Sequence, residues 1–278
     1  MSYSSEDLRK IREKAIDIRE DIVEMIPAGK VGHLGGSCSA ADIAAALYFH
    51  HMKVFDDPQN PKRDRCIFSK GHAVLAQYAC FAELGYVDRS ELAKVKTIKG
   101  ILQGHPDMGT PGIEAVTGSL GQGLSVSLGL ALGLKLDGSD SRVYTVVGDG
   151  EISEGQIWEA AMAASAYKAD NLCAILDYNG MQATDTTEKI FPIRSLKEKW
   201  AAFGWHVIEI DGHNVEEILA SLDEAKRVLG EPTMIVARTV KGKGFPFAEG
   251  VAKFHNGAIT EEEHIQALEA IKKMREAL

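Results

Sequence analysis

Apolar residues recur at Leu8, Ile11, Ala15, Ile18, Ile22 and Ile26, the spacing of one helix face, and Pro27 ends the run. The pattern predicts a helix over residues 4–26. Ser39 and Asp42 stand in capping-box spacing before an Ala-rich stretch, which predicts a helix over 39–52. A third helix is predicted over 72–84. Residues 98–118 then show no period and are rich in Gly, Pro, His and Thr. Irregular stretches of that length in compact domains are often functional. The most apolar run, 124–136, is shorter than the roughly 20 residues a membrane span needs and reads as a buried helix.

The second half alternates more regularly. Short β-rich runs at 142–147, 172–176, 206–210 and 234–239 are separated by helical patterns over 153–168, 195–203 and 215–228. This alternation predicts an α/β fold: three layers, with a mostly parallel sheet between helices. No repeat, low-complexity tract or linker divides the 278 residues, so the chain is read as a single domain. Gly or Asp follows several of the predicted strands, at the sheet end where open parallel sheets bind ligands.

Composition narrows the classes. A formal charge of −9 argues against a nucleic-acid partner, which calls for a basic stripe. Cys38, Cys66, Cys80 and Cys173 form no CxxC pair and have mostly apolar neighbours, as expected of reduced thiols in a cytoplasmic protein. The N-terminal MSYSSEDLRKIREK lacks the apolar core of a signal peptide, and no membrane association is expected.

Candidate chemistry begins at VYTVVGDGE, residues 143–151. A predicted strand ends in Gly148-Asp149-Gly150, where glycines allow close approach of backbone to a ligand and the carboxylate is a hard oxygen donor. A strand-end Asp-Gly is also an ordinary turn. The next strand ends in Asp177-Tyr178-Asn179-Gly180, and Asn179 follows Asp149 by 30 residues. A right-handed βαβ unit of that length returns the chain beside the first strand, so Asp149 and Asn179 are expected side by side. Two side-chain oxygens and a backbone carbonyl leave octahedral positions that Mg²⁺ fills with phosphate oxygens and water. Four histidines lie beside Gly or in irregular sequence: His33 in GKVGHLGGS, His72 in FSKGHA, His105 in LQGHPD and His255 in AKFHNGA. Each alone is compatible with a loop or core histidine.

The spaced acid–amide pair resembles the thiamine diphosphate motif. Together with the four histidines, TGSLGQG at 117–123 and TVKGKG at 239–244, the pattern resembles the transketolase family from about Leu8 to His255. The resemblance implies the thiamine diphosphate-binding fold, in its diphosphate-binding domain. It implies a metal site made of Asp149, Asn179 and the Met181 carbonyl, holding Mg²⁺ with Ca²⁺ or Mn²⁺ able to substitute. His72, Gly148, Gly150, Asn179 and His255 are then expected around the diphosphate, and Gly118 and Leu120 against the aminopyrimidine. His33, His105 and His255 are expected to face the sugar hydroxyls and the reactive carbon, as groups whose ordinary pKa of about 6.5 suits proton transfer. Glu154 is implied in an acidic proton network crossing to a partner domain, though a first-turn glutamate favoured by the helix dipole is the plainer reading. GSLGQG has the wrong order for a dinucleotide loop, and KGKG is not a phosphate loop; a mobile loop over the cofactor fits the latter better. His213 is read as structural.

Departures from the family matter too. Long single-chain transketolases carry Pro where this chain has Gly36-Ser37, and again where it has Ser119. These forms resemble a split-subunit branch. The sequence ends soon after His255, without the second domain that carries the family's activating glutamate. The implied arrangement is a C-terminal partner subunit of roughly 300 residues, the size of two ordinary domains, in a heterotetramer with two copies of each chain. The implied reaction transfers a two-carbon ketol unit between sugar phosphates. Deoxyxylulose phosphate synthase and the α-subunits of 2-oxo acid dehydrogenases share the metal motif, and a non-catalytic cofactor-binding subunit is the reading from another class. The sequence does not name the sugars.

Overall fold

The computed structural model describes residues 3–278. α1 (Ser5–Met25) leads through β1 (Val31–Gly32) to α2 (Leu34–Ser39) and α3 (Ala41–Ala46). After β2 (Arg65–Phe68) come α4 (Val74–Glu83), α5 (Gln122–Leu136), β3 (Val143–Gly148) and α6 (Gly155–Ala166). Then follow β4 (Leu172–Tyr178), α7 (Thr187–Ile190), α8 (Leu196–Ala202), β5 (His206–Asp211), α9 (Val215–Arg227), β6 (Thr233–Arg238), β7 (Gly257–Ala258) and α10 (Glu261–Glu276). The main sheet is parallel throughout, in the order β2-β3-β4-β6-β5. β1 and β7 form a separate antiparallel pair.

Strand alternation divides the apolar side chains between the two faces of the sheet. Tyr144, Val146, Cys173, Ile175, Ile235 and Ala237 pack into the core shared with α1, α3, α4 and α9. Val143, Val147, Leu172, Ala174, Leu176, Met234 and Val236 pack into the opposite core with α5, α6 and α8. This is the three-layer arrangement expected. All four cysteines are free and buried. Among the described residues no helix is long and apolar enough to cross a membrane.

Two expectations change. The helix predicted over 39–52 is broken at Ala40 and finishes as a π-helical turn, Leu47–His51. Ser39 and Asp42 cap nothing, because tertiary partners claim both side chains. Ser39 Oγ donates to Asp177 Oδ2 at 2.6 Å, and Asp42 accepts from Arg19. A capping box does open α10, where Glu263 N donates to Thr260 Oγ1 and Thr260 N to Glu263 Oε2. The apolar helix α5 is only half-buried. Leu124, Leu128 and Ala131 face the core, while Leu136 is 89% exposed and Val126 is exposed as well. Strand β2 and helix α10 were not anticipated from the sequence.

A buried ion pair anchors the helical layer to the loops that follow β5 and β6. Arg19, on α1, donates to Asp42 Oδ2 at 2.6 Å and to Lys243 O at 3.0 Å. His213 Nδ1 lies 2.7 Å from Asp42 Oδ2, and its Nε2 accepts from Val240 N at 2.9 Å. That second bond places the proton on Nδ1, so the ring donates to Asp42. Burial raises the Asp42 pKa, but Arg19 and His213 outweigh it and hold the carboxyl well below its usual range. Asp42→Asn strands the Arg19 charge. It should cost about 3 kcal/mol or more in denaturant unfolding, as loss of one partner in a buried pair does. A change below about 0.5 kcal/mol, the level of an ordinary surface substitution, would refute this anchoring role.

Candidate active site

The parallel register pairs Gly148 of β3 with Asp177 of β4, so the residues just beyond each strand meet. Asp149 Oδ2 accepts from Gly180 N at 2.6 Å, and Oδ1 from Gly150 N at 2.8 Å. Asn179 commits its amide nitrogen to Asp177 Oδ2 at 3.1 Å. Its oxygen accepts from Met181 N at 3.1 Å and is the group left for a cation. Asp149, Asn179 and Met181 line one cavity of about 230 Å³. Gly148, Gly150, His72, Leu120, Glu154 and His255 line it too.

The imidazoles converge beside this cavity. His33 lies with ring centroids 5.3 Å from His72, 5.6 Å from His105 and 5.7 Å from His255. His72 and His255 are 4.8 Å apart. The short β1–β7 pair joins the segments that carry His33 and His255. Gly118 lies against His105: its φ is +137°, and a Cβ there would stand 2.6 Å from the ring. Glu154 is exposed at the start of α6. Nine of the residues singled out from the sequence thus line the cavity, His33 packs against two of them, and His105 and Gly118 stand one and two contacts further back.

The protonation states differ from expectation. Burial, then the neighbouring His255 and His105, pushes the His33 pKa down to about 4. Burial, then Lys70, pushes His72 down to about 2. Burial, then Lys241, pushes His255 down to about 4. These rings are neutral near pH 7, so each presents one donor and one acceptor rather than a charge.

Several polar groups at the site carried no assignment from sequence. Lys70, almost wholly buried, donates to Asp177 and, at 2.8 Å, to Gly36 O. Lys241 Nζ donates to Gln182 O at 2.7 Å and lies 3.0 Å from His255 Nδ1; burial lowers its pKa to about 8. Glu151 accepts from Ser69 Oγ, from Gly121 N at 3.0 Å and from Gly148 N at 2.9 Å, tying GSLGQG to the GDGE turn. Lys70 directly precedes Gly71-His72, and Asp177 stands two residues before Asn179, so both lay inside quoted motifs.

These residues suit a cation that carries phosphate. Among the described residues no three His, Cys, Asp or Glu side chains converge as a metal site. One carboxylate, one amide oxygen and main-chain oxygens are instead the partial set Mg²⁺ takes when phosphate and water complete it. Burial, then Asp177, raises the Asp149 pKa to about 7, so this carboxylate lacks a compensating positive charge. Two buried lysines also line the cavity, Lys70 paired with Asp177 and Lys241 with no acidic partner among the described residues.

A parallel α/β sheet with this acid–amide pair at adjoining strand ends is the architecture of a domain that binds a ligand beyond its strand ends. The family profile described as "Transketolase, thiamine diphosphate binding domain" matches residues 11–275, and the chain belongs to that family. It is 45% identical over 273 residues to the 6-deoxy-6-sulfo-D-fructose transketolase subunit SqwG of Clostridium sp. (strain MSTE9), covering 97% of this chain and 98% of that one. It is 41% identical to an apulose-4-phosphate transketolase subunit of Phocaeicola vulgatus, covering 94% and 93%. Human transketolase is 40% identical over 259 residues, but the match spans only 41% of its length. The crystal structure of transketolase from Campylobacter jejuni superposes with a TM-score of 0.86 at 30% identity, over 97% of this chain and 43% of that one.

The depressed histidines set a pH response for the protein free of cofactor. Above the unfolded pKa of about 6.5 they are neutral in both states. Below it the unfolded chain takes up protons the folded chain refuses, so stability falls from about pH 6.5 down through the folded values near 4. Between pH 7.5 and 4.5 the unfolding midpoint of the parent should fall relative to that of His72→Gln, with the difference developing below about pH 6.5. Equal slopes for the two proteins would contradict a neutral, buried His72.

Proposed function

We propose that this chain is the N-terminal subunit of a two-subunit transketolase, a cytoplasmic enzyme that moves a two-carbon ketol unit from a ketose phosphate to an aldose phosphate. The observation that carries the reading is the bond from Gly180 N to Asp149, beside Asn179, which locks the two halves of the motif onto one cavity. Asp149, Asn179 and the Met181 carbonyl would hold Mg²⁺, with Ca²⁺ or Mn²⁺ able to substitute. His72, His255, Lys70 and Lys241, with the backbone at Gly148 and Gly150, would face the diphosphate. Gly118 and Leu120 would bear on the aminopyrimidine. When bound, thiamine diphosphate supplies the electron sink for carbon–carbon cleavage.

The chain's own groups do the rest. His33, packed against both His105 and His255, would face the sugar together with them. As neutral rings His33 and His105 can accept a hydroxyl proton at one nitrogen and hold a second hydroxyl with the other, while His255, whose Nδ1 faces Lys241, would donate from Nε2. Glu154, exposed at the rim, would complete an acidic network with a partner chain. The partner reading has two further supports. Both full-length relatives quoted above are named as subunits. Val126 and Leu136 on α5, Met162 on α6 and Tyr167 just past it are apolar side chains left exposed, area that another chain would bury. We assign it a C-terminal subunit of roughly 300 residues, two domains' worth, in a heterotetramer with two copies of each. The whole chain is taken as the single diphosphate-binding domain.

Purified alone with thiamine diphosphate, Mg²⁺, a ketose phosphate and an aldose phosphate, the chain should be inactive; mixing in the partner should restore transfer. Robust transfer by the chain alone would falsify the split arrangement. In the reconstituted complex Asp149→Asn should lower Mg²⁺ affinity and ketol transfer by more than about 100-fold, beyond the usual effect of changing a residue that only supports a ligand. Undiminished activity would remove the metal assignment. His105→Ala should cut donor kcat/KM by about 100-fold, the scale of a lost acid–base or positioning group. Unchanged donor turnover would exclude that role.

A further inference from the structure

Residues 180–187 fold back on themselves beside the cavity. Thr187 N donates to Gly180 O at 2.9 Å, Gln182 N to Asp185 O at 2.9 Å, and Met181 bridges Thr186. Lys241 pins the same segment through Gln182 O at 2.7 Å. The backbone of Gln182 is thus held from several sides, and its side chain is laid across Gly150. A Cβ at Gly150 would stand 3.0 Å from Gln182 Cγ and 3.4 Å from Cδ, so a side chain there would displace the carboxamide. Yet Gln182 Nε2 is buried with no hydrogen-bond partner among the described residues.

A buried donor without an acceptor is a net cost to folding, and native chains seldom leave one unless a ligand completes it. Gln182 lines the cavity, and a turn of its carboxamide about the terminal torsion would bring Nε2 from this unpaired position to an acceptor there. Asp149, Asn179 and Met181 line that cavity together with the cations of Lys70 and Lys241. A group that satisfies all of them is an anionic oxygen beside a bound cation.

We propose that Gln182 is a further binding residue for the cofactor, donating from Nε2 to an oxygen of its diphosphate. This inference rests on the diphosphate reading of the site given above. Gly150 is then small for two reasons: close approach to the ligand, and room for the Gln182 arm.

The test uses the full chain, Mg²⁺, and two probes titrated calorimetrically: thiamine diphosphate and inorganic diphosphate. Gln182→Leu, of similar volume, should weaken both roughly ten- to hundredfold, the range for a hydrogen bond to a charged group. Gln182→Glu, which sets a negative charge against the phosphoryl oxygens, should weaken both further. The melting temperature of the cofactor-free Leu variant should equal or exceed that of the parent, because the unpaired donor is gone. Wild-type binding of neither probe overturns the diphosphate reading, and this inference with it. Equal binding by parent and Leu variant overturns this inference alone. So does a loss confined to thiamine diphosphate, or a drop of several degrees in the cofactor-free melting temperature, which would mark Gln182 as structural.

Discussion

The site is built around one buried carboxylate. Asp177 stands one residue before the end of the middle strand of the sheet with no exposure to solvent, and four side chains reach it. Ser39 donates to it from the end of α2, Lys70 from the turn after β2, Thr239 from just past β6, and Asn179 from its own chain two residues on. Burial alone would raise the Asp177 pKa, but Lys70 and the three other donors outweigh it, and the group stays ionised. Neither ion tolerates loss of the other, since an unpaired buried charge carries a desolvation penalty of several kcal/mol. The constraint therefore fixes where β2, β4 and β6 end relative to each other. It also decides which atom of Asn179 is free, because the amide nitrogen is committed to Asp177 and the oxygen is not.

Above that base the cavity is electrostatically unfinished in two opposite senses. Asp149 is buried without a counterion, and its pKa rises to about 7. Lys241 is pushed down to about 8, first by burial and further by the charge of Lys70, while Asp149 and Asp177 work against the shift. The histidines around them are kept neutral by burial and by those lysines. A cation bridging a polyanion answers both demands at once: positive charge for Asp149, negative charge for Lys241, since Lys70 already has Asp177. Thiamine diphosphate with a divalent ion is such a pair, which is why family membership and local electrostatics point the same way.

Much of this was legible in the chain. The strand-and-helix alternation gave the layers, and the 30-residue interval between Asp149 and Asn179 gave their meeting, because a βαβ crossover leaves little freedom in handedness or neighbour. What failed shares a cause. Ser39 and Asp42 looked like a helix cap, and the 124–136 run looked like a buried helix, because both were judged by local chain alone. Asp177 and Arg19 claimed the first two side chains from far along the sequence, and the other face of α5 was left uncovered. The two-residue strands β1 and β7, which link the segments of His33 and His255, are too short to leave any periodic trace.

The sequence by itself determined the fold class, the family and many of the residues at the cavity, since periodicity, turn chemistry and motif spacing are properties of neighbouring residues. Only the tertiary structure decided what those groups are. Lys70 and Lys241 became site residues, the histidines became neutral, and Gln182 became an unpaired donor through burial and through contacts spanning 34 to 138 positions along the chain. Desolvation and through-space charge fix protonation and hydrogen-bond capacity, and neither is written in any local stretch of residues.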